Sequence, residues 1–185
     1  MNTGLVSSRY ALALLKYVSG TEDEENVYSQ VLRLSGSLSA VPELRELIDN
    51  PLSVSDTQKF SLLVSALDGE EMAQELKKFI LLVMKNRRTR FLRLIFQSFI
   101  SQYREAHKIK LSRLITAVPA PELEKRLADI VKREKGETVI FEHIVDPALI
   151  GGFIFDIDGY RMDASVASQL KSVRRQFIEK NRRIV

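Results

Sequence analysis

Apolar side chains recur at helical spacing along the first hundred residues, in segments separated by residues that begin or end helices. The first segment, Leu5 to Val18, contains neither glycine nor proline. The apolar stripe of the second consists of Val27, Val31, Leu34 and Leu38. The stripes of the last two are Leu76, Phe79, Ile80 and Val83, and Leu92, Ile95, Phe96, Phe99 and Tyr103. The pattern predicts six helices joined by short connections, for which an antiparallel bundle is the economical packing.

The boundaries of these helices are expected at residues that favour caps and turns. The expected starts are a capping box at Thr21 and Glu24, Pro42 at a first helical position, Ser55 or Asp56, and the acidic pair Glu70-Glu71. The expected ends include Asn50 before Pro51, and Asp68-Gly69.

The pattern changes beyond about residue 108, where short runs rich in Val, Ile and Phe indicate strands. The expected strands are Leu114 to Val118, Thr138 to Val145 and Gly152 to Ile157, with a hairpin turn at Asp158-Gly159. The expected helices are Pro121 to Lys135, ended by Gly136, and a last helix that Asp163 can cap. The predicted fold is therefore mainly α, with a six-helix bundle over residues 1–106 and a small α+β domain over residues 107–185.

Composition narrows the chemistry that the chain can perform. The chain has 185 residues, a net charge of +4, no cysteine and two histidines. Neither a disulfide nor a thiolate site is possible, and His107 and His143 lack the spacing of metal ligands, so we predict no metal and no cofactor. The longest uncharged run, Leu94 to Tyr103, is far shorter than the ~20 apolar residues that span a bilayer. With no targeting segment visible, we expect the protein to stay in the cytoplasm.

One motif resembles a catalytic site. The sequence Asp156-Ile157-Asp158-Gly159 follows a predicted strand, as does the nucleophile motif of haloacid-dehalogenase-type phosphatases. That chemistry needs a large doubly wound domain after the motif, and too few residues follow Gly159 to form one. We therefore interpret the motif as a hairpin turn.

A cluster of arginines allows a second class of function, a basic nucleic-acid-binding adaptor. The cluster consists of Arg87, Arg88, Arg90 and Arg93, with Lys85 and Phe91 among them. Guanidinium groups and aromatic rings suit phosphates and bases. The alternative is a helix start whose charged side faces water, neutralised by Glu70, Glu71 and Glu75.

The first helix has more apolar surface than one core can cover. Between Tyr10 and Val18 only Lys16 is charged, and the apolar positions occupy nearly the whole circumference. Such a helix is either enclosed on every side by its neighbours or completed by a partner's amphipathic helix in a groove. The sequence leaves these two alternatives open.

A long motif and several short ones are distributed over the whole chain. The long motif is Val145, Asp146, Pro147, Ala148, Leu149, Ile150, Gly151, Gly152 and Phe153, followed by Asp163 and Leu170 with Arg174-Arg175. The short ones are Ser8-Arg9-Tyr10-Ala11, Asn50-Pro51 followed by Lys59, and Asn86-Arg87 before Phe91-Leu92. Together these motifs resemble those of the delta subunit of F-type ATP synthases, which is also the family of the oligomycin-sensitivity-conferring protein, and the C-terminal signature is the strongest match. Ala148 is a departure, since many members have serine there.

The resemblance implies a non-catalytic connector in the peripheral stalk of the enzyme, present in one copy per complex. In the family, the N-terminal bundle binds N-terminal helices of the alpha subunits, one of them in a groove between the first and fifth helices. The implied groove residues are Tyr10, Ala13, Leu14 and Tyr17 from the first helix and Leu76, Phe79, Ile80 and Val83 from the fifth. The sequence does not distinguish the residues that face the core from those that face the groove.

The resemblance also implies that the C-terminal domain meets the paired b subunits of the stalk. The implied contacts are the seam Val166, Leu170, Val173 and Phe177 and the basic residues Lys171, Arg174, Arg175, Lys180, Arg182 and Arg183. For the four apolar residues, packing within the domain is the favoured alternative. The resemblance places the protein on the cytoplasmic side of the bacterial inner membrane, attached peripherally, without inserting into the membrane and without binding nucleic acid.

Overall fold

The computed structural model describes residues 3–50, 54–67 and 69–182, with the side chains of residues 4–50, 54–67 and 69–178. The chain forms two compact units, residues 1–106 and residues 107–185. The expected turn residue Pro51, the expected stop at Asp68 and the side chains of Lys180, Arg182 and Arg183 lie outside the described residues. The fold is mostly helical with one small four-stranded sheet.

Six α-helices occur in the described part of the first unit. They are α1 (Thr3–Val18), α2 (Glu24–Ala40), α3 (Pro42–Asp49), α4 (Asp56–Ser65), α5 (Gln74–Lys85) and α6 (Leu92–Ala106), with a 3-10 turn at Thr89–Phe91 before α6. Helix α6 packs against α1 and α2, and its side chains Ile95, Phe96 and Phe99 are fully buried. The apolar stripes predicted for α2, α5 and α6 all face this core, which confirms their helical periodicity.

Two of the predicted helix starts are confirmed. Pro42 is the first residue of α3, and the Ser55 hydroxyl accepts a hydrogen bond from Gln58 N at 3.3 Å while the Gln58 side chain accepts one from Ser55 N. Asn50, as expected, leaves the helical conformation at the end of α3, with φ −80° and ψ 117°.

The predicted capping box at Thr21 and Glu24 is wrong. The Thr21 hydroxyl donates to the Val18 carbonyl at 2.7 Å, and the Glu24 carboxylate accepts from Gly20 N at 2.9 Å. Both side chains therefore stabilise the turn that follows α1, where Gly20 has φ +78°. A cap needs the threonine directly before the helix, and Asp23 occupies that position without a side-chain bond.

The acidic pair Glu70-Glu71 does not begin α5, which starts at Gln74. The buried side chain of Gln30 explains the delay. Its Oε1 accepts from Ala73 N and its Nε2 donates to the Glu71 carbonyl, both at 2.9 Å. An amide from α2 thus satisfies backbone groups just before α5 and holds this segment extended against the core.

The second unit is a four-stranded sheet with a helix on one face. The elements are β1 (Ile109–Thr116), α7 (Pro121–Lys135), β2 (Thr138–Val145), β3 (Phe153–Ile157), β4 (Tyr160–Asp163) and α8 (Val166–Arg182). The strand order is β2-β1-β3-β4, with β1 parallel to β2 and antiparallel to β3. Leu114, Leu127 and Phe155 form the core between α7 and the sheet. Strand β1 begins five residues earlier than the apolar run predicted.

The predicted turns of this unit are confirmed. Gly136 ends α7 with φ +65°, and the β3–β4 hairpin turns at Asp158 and Gly159, whose φ angles are +49° and +80°. Two consecutive residues with positive φ are what a tight two-residue hairpin requires.

Candidate functional site

An apolar groove of about 400 Å³ lies between α1 and α5. Its lining residues are Arg9, Tyr10, Ala13 and Tyr17 from α1 and Lys78, Phe79 and Leu82 from α5. The exposed side chain of Leu82 and the Tyr17 ring, which is 48% exposed, present apolar surface to solvent. A groove of this composition can take the apolar face of a helix.

The first helix is not enclosed on every side. Its inner face carries Ala11, Leu14 and Val18, which are fully buried at helical spacing. On other faces Leu5, Leu12 and Tyr17 are each exposed over more than two fifths of their surface. Of the two alternatives left open by the sequence, the structure therefore supports the groove.

The groove is held in shape by contacts around Tyr10. Its ring meets Phe79 edge to face with centroids 6.4 Å apart, and Asn86 Nδ2 donates to its hydroxyl at 3.1 Å. The guanidinium of Arg88 lies over the same ring, 5.5 Å from its centroid. These contacts tie α1 to α5 and to the residues just after it, and so hold the two walls of the groove together.

The structure divides the eight expected groove residues into two sets. Tyr10, Ala13, Tyr17 and Phe79 line the groove. Leu14, Leu76, Ile80 and Val83 are fully buried in the core, because they lie on the neighbouring, inward-facing side of each helix, and they are not available to a partner. Sequence reasoning missed Arg9, Lys78 and Leu82. The two sets differ only in how each helix is rotated about its own axis. A helix with apolar residues on several sides does not indicate that rotation from its sequence.

A second apolar surface lies on α8. Leu170, Val173 and Phe177 are 55%, 47% and 65% exposed. The favoured alternative of packing within the domain is therefore wrong for these three, and it holds only for Val166, which is partly buried. Lys171, Arg174 and Arg175 are exposed beside them. We name the exposed set Leu170, Val173 and Phe177 the α8 seam.

Comparison with known proteins identifies the family. The profile described as ATP synthase delta (OSCP) subunit matches residues 6–177. The chain belongs to the ATP synthase delta (OSCP) subunit family. The chain is 43% identical to the ATP synthase subunit delta of Phocaeicola vulgatus and 42% identical to that of Bacteroides thetaiotaomicron, with 100% of both chains covered in each case.

The fold of this delta-family chain also occurs in a solved structure. A chain of the cryo-EM structure of the Toxoplasma gondii mitochondrial ATP synthase hexamer matches with a TM-score of 0.61 and 20% identity. The match covers 94% of this chain and 97% of that chain. By family, the protein is a structural, non-catalytic subunit of ATP synthase with a role in the peripheral stalk. Within the described residues, no helix is long and apolar enough to span a membrane.

The family signature forms the turn between β2 and β3 and the support for the start of α8. After Val145, Asp146 Oδ1 accepts from Ala148 N at 2.9 Å, opening a 3-10 turn over Pro147–Leu149 that buries Leu149. Ile150 follows with φ +64°. The signature therefore builds the turn on which the fold of the second unit depends.

The paired glycines of the signature let α8 begin close to the sheet. A Cβ on Gly152, which has φ +74°, would lie 2.2 Å from the Ala164 carbonyl oxygen. A Cβ on Gly151 would lie 3.2 Å from Val166 Cγ2, and the Gly151 carbonyl accepts from Val166 N at 3.0 Å. Only glycine at position 152 permits this approach.

Asp163 lies three residues before α8 and holds its start through hydrogen bonds, but it is not the cap residue of the helix. Its carboxylate accepts from the Ser165 hydroxyl at 2.7 Å, the Ser168 hydroxyl at 2.6 Å and Ser165 N at 2.9 Å. The cap itself is Ser165, whose Oγ accepts from Ser168 N at 3.3 Å. Hydrogen bonds from the Ser165 and Ser168 hydroxyls, with the Ser165 amide, lower the pKa of Asp163 from 3.8 to about 2.

This pKa predicts how the start of α8 responds to acid. Because the folded pKa lies below the unfolded value, the stabilisation by Asp163 is complete above about pH 4 and is lost as the pH falls through about 2. In a carbon-13 NMR titration, the Asp163 carboxyl should show a midpoint near 2, and Ser168→Ala should move that midpoint upwards. A wild-type midpoint near 3.8 would overturn the assignment.

The remaining candidate motifs have structural partners. Asp158 pairs with Lys110 at 3.0 Å, and Asp156 lies 3.8 Å from Arg161, across the hairpin. His143 Nδ1 lies 2.7 Å from Glu124 Oε1, and its Nε2 lies 2.7 Å from the Thr116 hydroxyl. Its ring thus ties α7 to the sheet. Among the described residues, no group of three or more His, Cys, Asp or Glu side chains could hold a metal ion.

The arginines of the predicted cluster make different contacts in the structure. Arg88 lies over the Tyr10 ring at the groove, and Arg90 lies over the Phe91 ring with its guanidinium carbon 4.6 Å from the centroid. Arg87 is exposed in a left-handed turn with φ +53°. Two of the four arginines thus pack on aromatic rings of the first unit, and the cluster does not present one continuous basic surface.

Proposed function

We propose that the protein connects the catalytic head of the ATP synthase to the b subunits of the peripheral stalk. In this proposal the first unit acts as a six-helix bundle that binds the N-terminal helix of an alpha subunit, and the second unit binds the b-subunit dimer. One copy would serve each complex, on the cytoplasmic side of the bacterial inner membrane. The apolar groove between α1 and α5 is the observation that carries the proposal.

The groove supports the alpha-subunit contact because its lining is mostly apolar and its two walls are tied together through Tyr10. Tyr10 and Phe79 are fixed against each other at one end, while Ala13 leaves room at the α1 wall. An amphipathic helix laid into it would cover the exposed faces of Tyr17 and Leu82. Covering this surface supplies a contact that resists salt, as a static connector needs.

The α8 seam supports the b-subunit contact. Three apolar side chains at helical spacing are exposed, and the helix that carries them extends to Arg182. The spacing of Val166, Leu170, Val173 and Phe177 follows the three- and four-residue steps of a coiled-coil seam. A partner helix from the stalk is the occupant that this geometry favours.

The physical task explains why two surfaces are needed. Rotation of the central shaft applies torque to the catalytic head, and the head must be held still for that torque to drive nucleotide chemistry. A connector with two contacts releases slowly, because one contact can re-form while the other holds.

The groove contact is tested by calorimetric titration of the full chain with a synthetic peptide of the alpha subunit's N-terminal ~20 residues, long enough for an amphipathic helix. Saturable binding with one peptide per chain is expected, and a scrambled peptide should not bind. A folded wild-type chain that binds neither peptide would refute the alpha-subunit contact.

The b-subunit contact is tested by crosslinking, since the natural chain has no cysteine. A photoreactive thiol reagent on Val173→Cys should crosslink to a b subunit in the assembled enzyme. The matched control is Lys132→Cys, an exposed position on α7. Equal crosslinking from both positions, or none from Val173→Cys, would argue against the α8 seam.

A further inference from the structure

We propose that the α1–α5 groove selects a helix that carries acidic side chains on both flanks of its apolar face. This inference rests on the proposed function, because it concerns the same groove, and it adds the charge that the occupant must have. The groove walls are basic on both sides. Arg9 contributes from α1 and Lys78 from α5, and none of the seven lining residues is acidic.

Each basic residue of the lining has a second one two turns further along the same helix. Lys16 lies seven residues after Arg9, and Lys85 lies seven residues after Lys78. Seven residues are two turns, so each pair lies on one side of its helix, about 10 Å apart along the axis. All four side chains are exposed. The apolar floor is therefore bordered by a basic stripe on α1 and another on α5.

These cations have no acidic partner within the described part of the chain that would neutralise them. None of the ion pairs in that part involves Arg9, Lys16, Lys78 or Lys85. Glu75, one turn before Lys78, is half-buried and does not line the groove. At the Tyr10 end, Arg88 adds a further positive charge. The field over the groove is thus positive, and an occupant is selected by its sign.

A helix in the groove would bring its flanking side chains beside these stripes. Acidic flanks would form charge pairs at the rim, while basic flanks would meet like charge as the interface is dehydrated. The apolar floor provides affinity for any amphipathic helix. The stripes decide which helix is accepted.

The same charge keeps the chain from binding itself. The α8 seam is an exposed amphipathic surface that could enter the groove of another copy. Its flanks are Lys171, Arg174 and Arg175, and no acidic side chain is described on α8 up to Ile178. The groove and the α8 seam are therefore both bordered by positive charge, which disfavours head-to-tail association between copies.

The test uses three designed 20-residue helical peptides with one common apolar face and with glutamate, glutamine or lysine at every flanking position. Affinities for the full-length chain are measured by fluorescence anisotropy at low and high salt. We expect the glutamate peptide to bind at least 10-fold more tightly than the glutamine peptide, and the lysine peptide at least 10-fold more weakly. These ratios should shrink at high salt, since exposed charges are screened.

Charge reversal on the protein supplies the second arm. The quadruple substitution Arg9→Glu, Lys16→Glu, Lys78→Glu and Lys85→Glu changes exposed residues only, replaces every cation of the two stripes by a carboxylate, and should reverse the order, so that the lysine peptide binds best. Lys77→Glu, an exposed neighbour outside the groove lining, is the matched control and should keep the wild-type order.

The outcomes separate this inference from the proposed function. Equal affinities for the three peptides, or an unchanged order in the quadruple variant, would overturn charge selection while leaving the groove as a binding site. Failure of all three peptides would also overturn it. The alpha-subunit contact keeps its own readout in the titration with the alpha N-terminal peptide.

Discussion

Ala13→Glu is expected to raise the Kd for the alpha-subunit N-terminal peptide at least about 100-fold, because it puts a carboxylate into an apolar interface that loses its water on binding and offsets the positive charge of Arg9 and Lys78 beside it. Ala13 lines the groove and its side chain is exposed in the unbound protein. The glutamate can therefore point to water until a partner arrives, and the fold should be unaffected. Calorimetric titration measures the loss, and circular dichroism verifies the fold.

Leu12→Glu is the matched control for this prediction. Leu12 is exposed on the same helix, one residue away, and does not line the groove. It introduces the same charge into α1 and should leave the affinity within about threefold, a difference smaller than ~1 kcal/mol. Equal weakening by both substitutions would place the binding surface elsewhere on α1. No weakening by Ala13→Glu would remove the groove from the account.

Lys59→Met is expected to destabilise the first unit by about 2–4 kcal/mol, because it removes two charge-assisted hydrogen bonds donated by a buried ammonium. Lys59 is only 1% exposed, and its Nζ donates to the Asn50 carbonyl at 2.6 Å and the Ile48 carbonyl at 3.2 Å. Its ammonium thus satisfies carbonyls at the C-terminal end of α3, where positive charge is favourable. Methionine keeps most of the volume and removes the donor. Urea denaturation gives the change in the free energy of unfolding.

The matched control replaces an exposed lysine. Lys77→Met on α5 removes the same charge from the surface and should change the free energy of unfolding by less than about 0.5 kcal/mol. If Lys59→Met were as mild as this control, the buried ammonium would have no structural role.

Helical and strand periodicity predicted most elements of the fold. The predicted helices with the stripe on α6 and over Pro121 to Lys135 are confirmed. Each has a single apolar face, and that face is the one that packs against the core. The starts of α2 and α5 could not be predicted in the same way. They depend on contacts made by the Glu24 and Gln30 side chains, and the bonds of Gln30 join residues more than forty positions apart.

Only half of the expected groove residues line the groove, because the sequence does not show how α1 is oriented in the bundle. The sequence shows that α1 has apolar residues on nearly every side, but it does not show which side meets α6. Packing against α6 buries Leu14 and leaves Ala13 at the groove. On α8 the apolar seam resembles a core stripe, and only the structure shows that nothing in the described part of the chain covers Phe177.

The most direct test of the connector is reconstitution with membranes whose ATP synthase has been stripped of this subunit. ATP-driven proton pumping is followed with a pH-sensitive dye after the full-length chain is added back. We expect the wild type and Leu12→Glu to restore pumping and Ala13→Glu to restore little of it. The ATPase activity of the head should be unchanged in every case. Full pumping without the subunit, or full rescue by Ala13→Glu, would contradict a connector that holds the head through this groove.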